Sequence, residues 1–352
     1  MAPAKVGRRN QLGTVGIIPL TAELGCQTAY PCVILANMNR PELPSMRPAH
    51  RDEWPAALRL VLSGVAESVR EPFIARQIAT DPSALSGLWV AVRESDLAAA
   101  CWSTLLAGRT ASVFPPVLAG VEPESTAVEL LQRVVSWISQ QDIVLVQALT
   151  DTLGGPVPRW LRAAGFEHLT NLLYLVAVCR EQEPPPRSGT LEFVPFSDET
   201  ALAAIVEQTY IDTRDCPQLG GIRQTADVLA GYRGVGKFAP ANWLIVRQGN
   251  ADVGCLLLAD HPADEQFELV YMGLVPAARG HSWGTEIVAE ALRRACGSGR
   301  DKLVLAVDAA NAPALKIYTA AGLVAWDQRA VWLRRFERTR KITPSPASPS
   351  TG

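Results

Sequence analysis

Residues 267 to 322 alternate two apolar runs with two helical stretches, an order that leaves few foldable arrangements. Phe267 to Leu274 (FELVYMGL) is rich in β-branched, aromatic and aliphatic residues, and Pro276 ends the run because proline donates nothing to a sheet ladder. From Thr285 to Ala295 the apolar residues Ile287, Val288, Ala291, Leu292 and Ala295 recur at helical spacing, with Glu286, Glu290, Arg293 and Arg294 on the other face. Leu303 to Val307 (LVLAV) is a short continuous apolar run, as expected of a buried parallel strand beside a crossover helix. Asn311 suits a helix N-cap, Pro313 tolerates the first turn, and Gly322 suits the position after the last turn. Strand, loop, helix, strand, helix is a right-handed crossover unit whose ligand edge lies at the strand ends.

The loop between the first strand and helix, Gly280-His281-Ser282-Trp283-Gly284, sits at a helix N-terminus. Unpaired N–H groups and the helix dipole favour an anion there, and Arg279 adds a positive charge. The same five residues match G-x-S-x-G, the nucleophile elbow of α/β-hydrolases. That mechanism needs an acid and then a histidine after the serine, and the four histidines, His50, His168, His261 and His281, all precede Ser282. The serine-hydrolase reading is therefore the weaker alternative.

With its neighbours the segment resembles the GNAT superfamily of acyl-CoA-dependent N-acetyltransferases. Their signature appears as Leu274, Pro276, Arg279, Gly280 and Gly284, and then as Asn311, Ala314, Tyr318, Gly322 and Leu323, with Ser282 where the family usually has a glycine. The resemblance implies that Met272, Gly273 and Leu274 pair with the pantetheine arm of acetyl-CoA. It also implies that Arg279, Gly280, His281, Ser282, Trp283, Gly284 and Thr285 hold the pyrophosphate, and that Asn311 contacts the pantetheine. Tyr318 is then the acid that protonates the departing thiolate and Glu268 the base, since an amine must lose a proton before it attacks a thioester. Asp308, at the end of the second strand, is an alternative base. Each residue also has a plainer reading: Tyr318 as a core tyrosine, Glu268 as a solvated strand residue, Trp283 as packing. The non-catalytic alternative for the whole site is a regulatory module that binds acyl-CoA without turnover.

The full chain of 352 residues allows roughly two domains. Pro184-Pro185-Pro186 marks a linker at 183–190, between a domain at 46–182 and a catalytic domain at 191–336. The first domain repeats the plan of the second: Trp89 to Val92 and Ala98 to Leu106 as a hairpin, Val128 to Ile138 as a helix, Ile143 to Ala148 as a strand. Trp160-Leu161-Arg162-Ala163-Ala164-Gly165-Phe166 echoes Ile317-Tyr318-Thr319-Ala320-Ala321-Gly322-Leu323, with leucine in place of the tyrosine. The expected fold is an α/β protein with a mixed sheet, built as two tandem GNAT-like domains of which the N-terminal one is degenerate. Mycothiol-synthase-like tandem proteins have this layout.

Acceptor identity is less legible. Tyr210, Asp212 and Asp215 follow the first helix of the catalytic domain and are the candidate contacts for an amine, small molecule or peptide. Asp212 and Asp215 also read as turn residues, and Gly231 to Lys237 as a glycine-rich loop out of place for phosphate binding. A formal net charge of −2 gives no footprint for nucleic acid, and no apolar run is long enough to span a membrane. The seven cysteines lack C-x-x-C spacing, which argues against a metal and suggests reduced thiols in a cytosol. Lys5 to Arg9 is not followed by a secretory core, and residues 1–45 and 337–352 read as loosely ordered ends. A cytoplasmic monomer or homodimer is expected.

Overall fold

The computed structural model describes residues 43–151, 153–179 and 189–336. The expected terminal extension and tail, and all but the last two residues of the expected linker, lie outside them, apart from 43–45. The first half runs β1 (Ser45–Pro48), α1 (Trp54–Val61), α2 (Glu67–Thr80), β2 (Leu88–Arg93), β3 (Asp96–Leu106), β4 (Thr110–Leu118), α3 (Glu124–Ser139), β5 (Leu145–Thr150), α4 (Val157–Ala163) and β6 (Glu167–Val178). The second half repeats the series as β7 (Glu192–Pro195), α5 (Glu199–Tyr210), α6 (Thr225–Arg233), β8 (Trp243–Gln248), β9 (Ala251–His261), β10 (Gln266–Leu274), α7 (Trp283–Gly297), β11 (Lys302–Asp308), α8 (Ala312–Ala320) and β12 (Val324–Arg335).

These strands form one twelve-stranded sheet in the order β1-β2-β3-β4-β5-β12-β6-β11-β10-β9-β8-β7. The order reads as two copies of one series related by a pseudo-two-fold, with the last strand of each copy exchanged. β6 pairs with β11 of the second half, β12 pairs with β5 of the first, and β6 and β12 pair with each other antiparallel at the centre. The contiguous halves read from the sequence are therefore not self-contained units. Trp332 of β12 is fully buried in the first half's core against α3 and α4, while Leu175 and Ala177 of β6 are buried in the second half's core.

Local sequence explains the parallel between halves. α4 and α8 both end in a glycine in the left-handed region, Gly165 at φ 79° and Gly322 at φ 85°. In both, the next N–H reaches back to the helix, Phe166 to the Leu161 carbonyl at 2.9 Å and Leu323 to the Tyr318 carbonyl at 3.0 Å. This is the Schellman closure that turns the chain into its last strand. The strand β4 was not visible in the sequence because Pro115 and Pro116 interrupt it. Both sit at an irregularity in the β3 pairing and beyond the end of the β5 pairing, where missing N–H groups break no ladder. The glycine-rich Gly231–Lys237 is the last turn of α6 followed by a loop rather than a loop throughout.

The cysteines need a correction. Cys179, just after β6, is joined to Cys296 of α7 in a disulfide with Cα atoms 5.0 Å apart. Strand exchange brings them together across 117 residues, a proximity that spacing along the chain cannot reveal. Cys101, Cys216 and Cys255 are free, and Cys26 and Cys32 lie outside the described residues. No helix of the described residues is long and apolar enough to cross a membrane.

Trp332→Ala is expected to cost about 3–5 kcal/mol, measured by denaturant unfolding, with the whole protein still unfolding in one transition. Two separated transitions would contradict the reciprocal exchange.

Candidate acyl-CoA site

The site begins where two strands part. β10 pairs with β11 in parallel only from Gln266 to Glu268, while on its other side it stays paired with β9 to Leu274. Leu269 to Leu274 thus have an unpaired edge. The Val275 N–H is bonded to the Val253 carbonyl of β9 at 3.0 Å. By the alternation of an antiparallel ladder the N–H groups of Leu274 and Met272 point into the gap. A cavity of about 680 Å³ occupies this gap.

The structure brings most of the expected cofactor residues to its wall: Met272, Gly273 and Leu274 from β10, and Arg279, Gly280, Ser282, Trp283, Gly284 and Thr285 from the loop and first turn of α7. Asn311 and Tyr318 close it from α8. His281 is not among the lining residues; its ring stacks on Trp283 at 4.8 Å. Thr209, Arg214 and Lys316 also line the cavity and had no motif to flag them.

The loop geometry fits an anion. Gly280 adopts φ 85°, and a Cβ there would meet nothing within 4 Å, so its backbone is open to a ligand. A Cβ on Gly284 would lie 2.8 Å from Ile317 Cδ1, so a larger residue there would have to displace the end of the Ile317 side chain. Ser282 caps α7 at φ 62°, a left-handed conformation that strains a non-glycine residue by roughly 1–2 kcal/mol. Arg279 takes a different role from the one read in the sequence. Its guanidinium donates to four carbonyls, of Thr209, Ile211, Asp212 and Leu274, at 2.7–3.1 Å. It ties the C-terminal end of α5, where a cation complements the helix dipole, to the end of β10.

Tyr318 is 6% exposed, and burial, then the negative charge of Asp215, hold its phenol well above the ordinary range. It stays protonated and can donate. Asn311 caps α8, its Oδ1 accepting the Ala314 N–H at 3.3 Å. Asp215 Oδ1 accepts the Asp308 N–H at 3.2 Å, and burial raises the Asp215 carboxyl. Asp308, the alternative base, is 3% exposed and already accepts from the Thr170 hydroxyl (2.6 Å) and the N–H groups of Ala310 (2.9 Å) and Cys216 (3.2 Å). Asp212 lines the cavity at φ 53°. Tyr210 lies behind it instead: its hydroxyl meets that of Tyr232 at 2.5 Å and its ring packs on Tyr271 at 5.3 Å.

Glu268 stands at the last paired residue before the strands part. Its Oε2 is bonded to His261 Nε2 at 2.9 Å. His261 is buried under the loop after α6, where a Cβ on Gly236 would lie 2.9 Å from the imidazole. This pairing joins residues seven apart through the β9–β10 hairpin.

Residues 208–323 match the model of the acetyltransferase (GNAT) family. This part of the chain is a GNAT acetyltransferase domain. The sequence is 27% identical over 135 residues to mycothiol acetyltransferase of Streptomyces scabiei, covering 38% of this chain and 42% of that protein. It is 29% identical over 151 residues to mycothiol acetyltransferase of Stackebrandtia nassauensis, covering 41% and 47%. The matches thus span less than half the length of these curated relatives. The fold is similar to that of a GCN5-related N-acetyltransferase from Sphaerobacter thermophilus, with a TM-score of 0.57 at 16% identity, over 83% of this chain and 95% of that one. It is also similar to a tandem GNAT protein from the clavulanic acid biosynthesis pathway, with a TM-score of 0.50 at 14% identity over 84% and 98%.

The GNAT fold recurs in the first half without the features of the site. The strands β4 and β5 part in the same way over a cleft of about 340 Å³, but Pro115 and Pro116 stand just beyond the parting, so the strand has no N–H to offer a ligand at either position. Glu124 opens α3, and Glu122 just before it accepts from the Thr126 hydroxyl, so carboxylates occupy the end where an anion would bind. Leu161 stands where α8 has Tyr318.

Ser282→Gly is expected to relieve backbone strain and raise stability by up to about 1 kcal/mol, read as a shift of the denaturation midpoint. A destabilised variant would show that the serine side chain is needed at that cap.

Proposed function

We propose that the protein transfers an acetyl group from acetyl-CoA to a primary amine of a small molecule or peptide by direct transfer in a ternary complex. The unpaired edge of β10 beside the N-terminus of α7 carries this reading, since it offers a main-chain ladder and an anion site in one cavity. The names of the relatives, mycothiol acetyltransferase, agree with acetyl transfer. We assign catalysis to residues 191–336, completed by β6, and a degenerate supporting role to residues 46–182.

Acetyl-CoA would supply an activated acetyl thioester. The Met272 and Leu274 N–H groups would bind along the pantetheine, with the Leu274 N–H polarising the thioester carbonyl. Residues 280–285 would hold the pyrophosphate on main-chain N–H groups. Asn311 would flank the pantetheine, and Asp212 and Asp215 would border the acceptor. Glu268 would take the proton from the acceptor amine, through water where the reach requires it, and Tyr318 would give its proton to the CoA thiolate.

Acetyl-CoA should bind by isothermal titration calorimetry, and Gly284→Glu should abolish that binding. Tyr318→Phe should lower kcat by roughly 10²-fold with acetyl-CoA affinity unchanged, as general-acid loss requires. A sensor without turnover would show neither wild-type transfer nor an effect of Tyr318→Phe. Because the Tyr318 pKa is raised, its neutral form persists at alkaline pH, and kcat should show no loss from its ionisation below about pH 10.

A further inference from the structure

The chain after α5 crosses the gap that the parting of β10 and β11 leaves. On the β10 side, Arg279 donates to the carbonyls of Thr209, Ile211 and Asp212 at 2.7–3.1 Å. On the β11 side, Asp308 holds the same segment twice: its N–H donates to Asp215 Oδ1 at 3.2 Å, and its Oδ2 accepts the Cys216 N–H at 3.2 Å. Asp212, Thr213, Arg214 and Asp215, between the two attachments, all line the cavity. They form a strap from one parted strand to the other. Room for one absent strand sets the edges about 10 Å apart, and a run from Asp212 to Cys216 reaches at most about 17 Å. The spare length is taken up where Asp212 and Cys216 turn through the left-handed region, at φ 53° and 45°. Cysteine, unlike aspartate, is not favoured there, so its surroundings hold it in place.

The β11 attachment is fixed from behind. Thr170 of β6, the strand exchanged from the first half, donates its hydroxyl to Asp308 Oδ1 at 2.6 Å, and the Ala310 N–H donates to the same oxygen at 2.9 Å. Past Cys216 the chain packs Leu219 and Ile222 on a cluster of Val144 and Leu145 from the first half with Val331 and Leu333 of β12. Arg335 donates to the Gln218 carbonyl at 3.2 Å. The far end of the strap is thus set by the first half as well as the second.

The pseudo-two-fold supplies an internal comparison. Counted from the matched glycines Gly165 and Gly322, Leu173 and Ala330 stand at the same position, and they pair with Val307 and Thr150; the residues that follow are Asp308 and Asp151. Each half therefore has an aspartate where its middle strand ends. The Asp151 side chain is 65% exposed and paired with Arg329, whereas Asp308 is 3% exposed and takes three hydrogen-bond donors. Burying a carboxylate is costly unless its oxygens are satisfied. The first half builds the same strand end without that cost, so the burial of Asp308 belongs to the strap and not to the fold.

We infer that Asp308, together with Asp215, is a positioning residue that clamps residues 212–215 across the gap and so fixes the wall against which the acceptor amine meets the acetyl thioester. The inference rests on the acetyltransferase reading. Asp308 acts through the strap and does not take the proton of the amine, because both its oxygens are already occupied by donors. Thr170 arrives on the exchanged strand, so the first half, without the features of a cofactor site, shapes acceptor recognition in the second.

The test compares wild type, Asp308→Asn and Thr170→Val in release of CoA from acetyl-CoA with ethanolamine, putrescine, tyramine and glycylglycine, beside acetyl-CoA titrations and amide exchange at Cys216. An amide in place of the Asp308 carboxylate turns one acceptor into a donor, and so breaks at least one of its bonds. Thr170→Val keeps the shape and removes only the hydroxyl, and it decides alone if Asp308→Asn does not fold. The expected result is faster exchange of the Cys216 N–H and a KM for the best amine raised about fivefold or more in Asp308→Asn and about twofold or more in Thr170→Val, with kcat within about threefold and acetyl-CoA affinity within about twofold of wild type. Amine KM unchanged in both variants, or acetyl-CoA affinity lost in place of the KM effect, would overturn the clamp and leave the acetyltransferase reading intact. A collapse of kcat in Asp308→Asn at unchanged KM would make Asp308 the base and also overturn it. Wild-type protein that neither binds acetyl-CoA nor transfers its acetyl group would overturn the acetyltransferase reading, and this inference with it.

Discussion

The antiparallel ladder between β6 and β12 holds the rest of the structure in place, because each of these strands is also the neighbour that the other half's sheet lacks. Exchange fuses two short sheets into one and puts Trp332 of one half into the core of the other. It also places the end of β6 beside α7, where Cys179 and Cys296 are joined, so the helix whose N-terminus faces the cavity is tethered at its far end to the strand from the first half. A cleft built on parted strands needs such bracing, since β10 and β11 share only three registered pairs.

One fold used twice has diverged by a few substitutions of clear physical consequence. In the second half the free strand edge keeps its N–H groups, the helix N-terminus is opened by glycine, and a buried phenol stays protonated above the gap. In the first, two prolines, a pair of glutamates and Leu161 remove those properties while leaving the strand pairing intact. The shared scaffold shows that parted strands are a property of the fold. Whether the gap can take an acyl-CoA is decided by the groups along its edge.

Much of this was legible in the sequence. The helix from Thr285, the strand at Leu303, the cap at Asn311 and the echo of residues 160–166 in 317–323 all follow from local periodicity and turn chemistry, and all appear in the structure. Gly280, Gly284 and Tyr318 could be placed because their motif is contiguous. Features created by pairing across the chain were not legible: the strand exchange, the Cys179–Cys296 disulfide, the His261–Glu268 contact and the Asp215–Asp308 contact. Arg279 shows the limit within a motif. Its charge was visible, but the four carbonyls that absorb it come from α5, its following turn and the end of β10, and only the folded chain brings them together.

The central claim is that the parted strands of the second half, and not those of the first, take up acyl-CoA. Amide hydrogen exchange with and without acetyl-CoA tests it directly, because it reads the main-chain N–H groups on which the claim rests. The account predicts that protection rises at residues 272–274 and 280–285 and is unchanged at residues 117–126. Unchanged exchange at 272–274, or protection confined to 117–126, would contradict it.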